Sequence, residues 1–305
     1  MKTRLLLAML VGSVIAACGA QRLLPPGASA VAPLSWSAVA SREQPPAGLR
    51  LSYGAAPQQF GELRLPPGTG PFPVVVLIHG GCWLQAFDYR YFNHLAAALA
   101  SEGYATWTPE YRRIGDAGGG WPNTLLDAAA ATDHLRTLAT DYPLDLRRIA
   151  AVGHSAGGQL ALWLAARDQL PRDSALYRDD PLPLQGVIGL AAITDLATYR
   201  IGPADSCHSA VDRLLDATPD SEPQRYAQTS PTALLPLGVP QWLLQGGRDP
   251  IVSSESVRAY IAAATQAGDT VTLRLDADAG HFEPALPDTR LGRDLREALQ
   301  ALLLH

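Results

Sequence analysis

The sequence predicts an α/β domain: a mostly parallel sheet flanked by helices, with a small cap inserted late in the chain. Three observations carry this. Aliphatic and β-branched runs alternate with Ala/Leu-rich helical stretches from Leu49 to the C-terminus, the pattern of a parallel sheet covered on both faces. The run Val74-Val75-Val76-Leu77-Ile78 is apolar without interruption, which suits a strand buried on both sides rather than one half in water. From Asp195 to about Pro236 the alternation breaks into a Pro-bearing stretch with patchy helical period. That stretch is long for a connection and reads as the cap.

The elements follow in order. Leu49–Tyr53 and Phe60–Leu65 read as short strands, parted by Gly54 and Pro57 and closed by Pro66-Pro67-Gly68. After the 74–78 strand come a helix over Phe92–Ala100, a strand over Tyr104–Trp107, and a helix over Leu125–Leu138 with Asp127 and Asp133 on its polar side. Ile149–Val152 is the next buried strand, followed by helix Ala156–Ala166. Strand Val187–Ala191, the cap, strand Trp242–Leu244, helix Ser253–Ala264, strand Thr270–Leu275 and helix Thr289–Leu303 complete the domain, expected over residues 49–305.

The N-terminus reads differently. Lys2 and Arg4 precede an apolar and small-residue run from Leu5 to Ala17, too short to span a bilayer and shaped like an export signal. Its end, Ile15-Ala16-Ala17-Cys18, resembles the bacterial lipobox. That resemblance implies removal of residues 1–17 and a diacylglycerol on Cys18. Gly19 rather than Asp after the cysteine favours the outer membrane, facing the periplasm, over the inner one. Residues 18–48, rich in Pro, Ala, Ser and Gly, read as a flexible tether. The net charge of −5 is spread along the 305 residues, with no basic stripe to neutralise phosphates. Nucleic acid is therefore not an expected partner.

Gly153-His154-Ser155-Ala156-Gly157 matches G-x-S-x-G and stands between a predicted strand and a predicted helix. A serine on such a sharp turn presents its hydroxyl at the carboxyl edge of the sheet, so Ser155 is the candidate nucleophile. It needs a base. Of seven histidines, His305 is terminal, His94 and His134 lie on helices, His154 is held on the strand side pointing elsewhere, His208 is in the cap, and His79 belongs to another motif. His281, directly after the last predicted strand, remains. Asp249, in the turn after Trp242–Leu244, is the candidate acid; Asp276 and Asp278 lie too close to His281 in sequence and suit a turn better. His79-Gly80-Gly81-Cys82-Trp83 follows the 74–78 strand, and the N–H groups of Gly81 and Cys82 with that of Ala156 are candidates to cradle an oxyanion.

His79–Trp83 resembles the H-G-G-x-W motif of the α/β-hydrolases related to arylformamidases (kynurenine formamidases) and to bacterial feruloyl and acetyl esterases. Gly153–Gln159, Asp249 and His281 are similar to that group's triad motifs, and the resemblance runs from about Phe60 to the C-terminus. It implies the α/β-hydrolase fold and acyl hydrolysis, with no metal or cofactor. Cys82 stands where hormone-sensitive-lipase relatives carry glycine, and Pro109–Arg113 departs from their Asp-Tyr-Arg. The expected reaction is cleavage of a small-molecule carboxylic ester through an acyl-enzyme. An arylformamidase- or peptidase-type amide hydrolase is the alternative within hydrolases, and a non-catalytic surface binding protein the alternative outside them.

With Cys18 lipidated, Cys82 and Cys207 form an even pair in an exported chain, which predicts one disulfide pinning cap to oxyanion loop. Trp83, Trp121 and Tyr111 are candidates for lining an acyl pocket, whereas Trp163 and Trp242 are expected in the core.

Overall fold

A computed structural model describes residues 32–204 and 206–304. The expected signal peptide and Cys18 lie outside them. Eight strands form one sheet in the order β1-β2-β4-β3-β5-β6-β7-β8. They are β1 (Leu49–Ser52), β2 (Phe60–Arg64), β3 (Phe72–Ile78), β4 (Ala105–Pro109), β5 (Leu144–His154), β6 (Gly186–Leu190), β7 (Gln241–Gly246) and β8 (Val271–Asp276). The β1–β2 and β2–β4 pairings are antiparallel and all others parallel. The helices are α1 (Trp36–Ala40), α2 (Asn93–Ser101), α3 (Asn123–Asp133), α4 (Leu135–Asp141), α5 (Ala156–Ala166), α6 (Leu196–Tyr199), α7 (Ala210–Leu215), α8 (Pro223–Ala227), α9 (Ser254–Ala267) and α10 (Arg290–Leu303).

The pleat sorts the apolar run of β3 between two cores. Val74, Val76 and Ile78 join the cluster under α3, α4, α5 and α9, while Val75 and Leu77 join the one under α2 and α10. Helix α5 is the most enclosed, with residues Ala156–Leu164 and Ala166 all buried, as a helix apolar on every side must be. Helix α10 buries Leu291, Leu295, Ala298, Leu299 and Leu303 and turns its Arg and Asp residues outward. The cap is built of the short helices α6, α7 and α8 between β6 and β7.

Three expectations need correction. The predicted helix over Leu125–Leu138 is two helices that meet at His134; Thr132 bonds back to the Ala128 carbonyl at 2.8 Å in the last turn of the first. Asp127 is not on a solvated face. It is 1 % exposed and holds Arg112 through two side-chain bonds of 2.8 and 2.7 Å. Nor are residues 33–48 a free tether. Helix α1, capped by Ser35 (Oγ to the Ala38 N–H, 3.3 Å), buries Val39 against the α2/α10 core. The Leu34 N–H donates to Glu283 at 2.6 Å, and Arg42 pairs with Asp288 at 3.1 Å. One helical turn with an apolar face of two side chains is too short to show a period in a Pro/Ala/Ser-rich sequence.

Candidate active site

Strand β5 ends and α5 begins at Ser155, whose backbone sits at φ 56°, ψ −118°. A non-glycine residue there is strained by about 1–3 kcal/mol and needs fixed surroundings. They are present: the Ser155 N–H donates to Leu190 O at 2.8 Å, and its own carbonyl accepts from Gly158 at 3.0 Å. A Cβ on Gly157 would lie 2.1 Å from Ile78 O, and one on Gly153 would lie 2.0 Å from Gly157 O. The glycines are thus required by the close passage of the turn over β3 and over itself.

Ser155 lines a cavity of about 280 Å³ together with His281, Gly81 and Cys82. His281 Nδ1 lies 2.7 Å from Asp249 Oδ2. The other carboxylate oxygen accepts from the N–H groups of Ile251 (2.8 Å) and Val252 (2.9 Å). Burial works against the Asp249 charge, but the bond to His281, the imidazole's charge and those two N–H groups outweigh it and hold the carboxyl below its ordinary range. Asp276 accepts from the Asp278 N–H at 3.2 Å, a turn contact.

The loop after β3 turns through three successive left-handed residues: Gly81 (φ 101°), Cys82 (φ 55°) and Trp83 (φ 56°). Among the described residues, the N–H groups of Gly81, Cys82 and Ala156 donate to no other protein group. The loop is held from several sides. Ile114 N–H donates to Trp83 O at 2.8 Å, the Trp83 indole to Gln159 at 3.2 Å, and Cys82 is joined to Cys207 by the expected disulfide. His79 Nε2 lies 2.9 Å from Glu110, which also takes Arg113 at 3.0 Å.

His154 does not point away from the site, as its place on the strand suggested. Its ring centroid is 4.6 Å from that of His281, and its Nε2 donates to the His281 carbonyl at 2.8 Å. Tyr91 completes a directional chain: the Gly80 N–H donates to the Tyr91 hydroxyl, which donates to His154 Nδ1 at 3.1 Å. Burial first, and the nearby His281 second, push His154 down to about 3, so it is neutral in this chain. One line of hydrogen bonds thereby ties the loop after β3 to the backbone of His281.

The pocket aromatics differ from those expected. Trp83 is fully buried in the core against Gln159, because its positive φ turns the ring inward. Tyr111 is stacked under His79 at 4.4 Å. Trp121 lies beneath the Arg225 guanidinium, outside the cavity. The aromatic wall is instead Trp36, Phe87, Tyr91 and Phe282. Phe87 and Tyr91 share one stretch of chain, but Trp36 and Phe282 come from near its two ends, so no single local motif joins all four. A larger cleft of about 590 Å³ under the cap shares Cys82, Phe87, Cys207 and Ile251 with the cavity. Among the described residues, no group of three or more His, Cys, Asp or Glu is placed to hold a metal ion.

A strained serine at a strand–helix turn, the eight-stranded order and the histidine loop after the last strand define the α/β-hydrolase fold. Residues 62–261 match the BD-FAE family, and the chain belongs to it. Esterase LipC of Mycobacterium tuberculosis is 24 % identical over 217 residues, covering 70 % of this chain and 53 % of LipC. The chain likewise spans 45 % of the probable carboxylic ester hydrolase LipM of that organism, and so about half the length of both. An acetyl-hydrolase of Streptomyces hygroscopicus is 29 % identical over 272 residues, 79 % of this chain and 85 % of that protein. A truncated carbohydrate esterase from gut microbiota has the same fold (TM-score 0.72, 19 % identity, 85 % of this chain and 96 % of that one). So does esterase B of Lactobacillus rhamnosis, solved with a tributyrin phosphonate (TM-score 0.72, 20 % identity, 86 % and 88 %).

Proposed function

We propose that the protein is a serine carboxylic-ester hydrolase acting through an acyl-enzyme. The observation that carries this reading is Ser155, strained on its turn, opening on a cavity shared with a histidine that Asp249 holds at 2.7 Å. Ser155 Oγ attacks the ester carbonyl as His281 Nε2 takes its proton. Asp249 keeps the other imidazole proton on Nδ1 and stabilises the imidazolium. The N–H groups of Gly81, Cys82 and Ala156 receive the oxyanion. His281 then protonates the departing alcohol, and water repeats the sequence on the acyl-enzyme. The names of LipC, LipM and the acetyl-hydrolase, esterases or hydrolases all, support an ester as the bond cleaved.

The test is a substrate panel. Short p-nitrophenyl esters are turned over by the wild type and not by Ser155→Ala. Faster turnover of N-formylkynurenine than of any ester would replace the ester with an amide.

We also propose that the protein is held in a bacterial envelope by a lipid on Cys18, at the periplasmic face of the outer membrane. The lipobox-like Ile15-Ala16-Ala17-Cys18 supports this. No helix among the described residues is long and apolar enough to cross a membrane. Cys18→Ala is expected to move the protein from the membrane to the soluble fraction, and unchanged sedimentation with membranes overturns the anchor.

A further inference from the structure

We propose that Trp36, carried on the N-terminal strap of residues 33–44, is a partition that limits the length of the ester's apolar substituent. The proposal rests on the esterase reading above.

The strap is fastened over the site rather than lying loose on the surface. Glu283 accepts from the Leu34 N–H at 2.6 Å with one oxygen and from the Gly280 N–H at 2.9 Å with the other. One carboxylate therefore clamps the strap to the loop that bears His281. Val39 is buried 2 % exposed, Arg42 is paired with Asp288, and Gln44 accepts from Asn93 at 3.2 Å. The strap has anchors on both sides of the indole.

Trp36 faces two cavities at once. On one side lies the 280 Å³ cavity of Ser155. On the other lies a cavity of about 300 Å³ reaching Ala40, Gln44, Asp88 and Arg90. Phe87 and Tyr91 share the dividing wall, with ring centroids 5.0 and 5.6 Å from Trp36. Those two are fixed from behind, Phe87 packed on Gly81 and Tyr91 hydrogen-bonded to Gly80 and His154. The indole is the part of the wall contributed by the strap, and its removal is expected to open the Ser155 cavity into the second one. An apolar chain that stops at Trp36 in the wild type can then continue past it.

The experiment measures kcat/KM for p-nitrophenyl acylates from acetate to decanoate and for n-alkyl acetates of matching lengths. Wild type, Trp36→Ala and Trp36→Phe are compared, with melting temperatures confirming that each is folded. In Trp36→Ala the long-to-short ratio is expected to rise at least about tenfold in one of the two series, since a single methylene admitted to an apolar pocket is worth about 10–200-fold. Trp36→Phe, which retains a smaller ring, is expected to fall between. A ratio within twofold of wild type in both series, or an equal loss on short and long esters, overturns the partition. If the wild type neither cleaves any ester nor takes up a fluorophosphonate, the esterase reading fails and the partition with it. Ester turnover with an unmoved ratio overturns the partition alone.

Discussion

Cys207→Ser removes the bond that ties the cap to the oxyanion loop and separates two contributions of that bond. The disulfide closes a span of 125 residues. The chain-entropy relation assigns such a loop about 5 kcal/mol of stabilisation. At about 2–4 °C per kcal/mol for a domain approaching this size, the melting temperature should fall by about 10–20 °C. Activity should respond differently. Losing an oxyanion donor outright costs about 2.7–4 kcal/mol, or 10²–10³ in kcat. Cys82 would not lose its place outright, because the loop keeps the Leu84 N–H to Gly81 O bond at 2.9 Å, the Ile114-to-Trp83 bond at 2.8 Å and the Trp83 indole on Gln159. The expected fall in kcat on p-nitrophenyl acetate is therefore less than about 100-fold. Calorimetry and initial rates, with and without dithiothreitol on the wild type, measure both. A melting temperature within about 2 °C of wild type would refute the loop-closure argument. A kcat loss of the full 10²–10³ would refute the claim that the loop is held by its own hydrogen bonds.

Asp249→Asn preserves size but removes the charge that fixes the Nδ1–H tautomer, so kcat should drop by about 10⁴ with KM little changed; a loss under tenfold would make Asp249 dispensable. His154 predicts a pH dependence of stability. Its value falls from an ordinary 6.5 to about 3 in the folded chain, so between those limits the unfolded state binds the proton and the folded state does not. The contribution is complete above about pH 6.5 and is lost progressively as pH falls toward 3, reaching about 2 kcal/mol lost at pH 5. Urea midpoints between pH 7.5 and 4.5 should show that slope in the wild type and a flatter one in His154→Gln. Equal slopes would remove His154 as the source.

What was legible in the sequence was what is local. The runs 74–78, 149–152 and 187–191 became the core of the sheet because a strand buried on both faces writes its burial as an unbroken apolar word. The pairing of Asp249 with His281 is legible because each follows a strand end, and strand ends share one edge of a parallel sheet. The failures came from long-range pairings. Asp127 reads as a surface residue on its helix, and the approach of Arg112 and Gln59 from preceding segments offsets the cost of its burial. Trp83 leaves the pocket through a backbone angle that its residue type does not announce. Trp36 enters the pocket from a segment whose composition argued for disorder, held by a Glu283 some 249 residues away. His154 reads as pointing elsewhere because the strand alternation says which face a side chain takes and not which loops fold over it.

The proposed mechanism requires Ser155 to be a nucleophile activated by its surroundings. Incubation of the purified protein with a fluorophosphonate, followed by peptide mass mapping, tests this. One adduct per chain is expected, on the peptide bearing Gly153-His154-Ser155-Ala156-Gly157, with no adduct in Ser155→Ala. Labelling that persists in Ser155→Ala, or no labelling of a folded wild type, would contradict it.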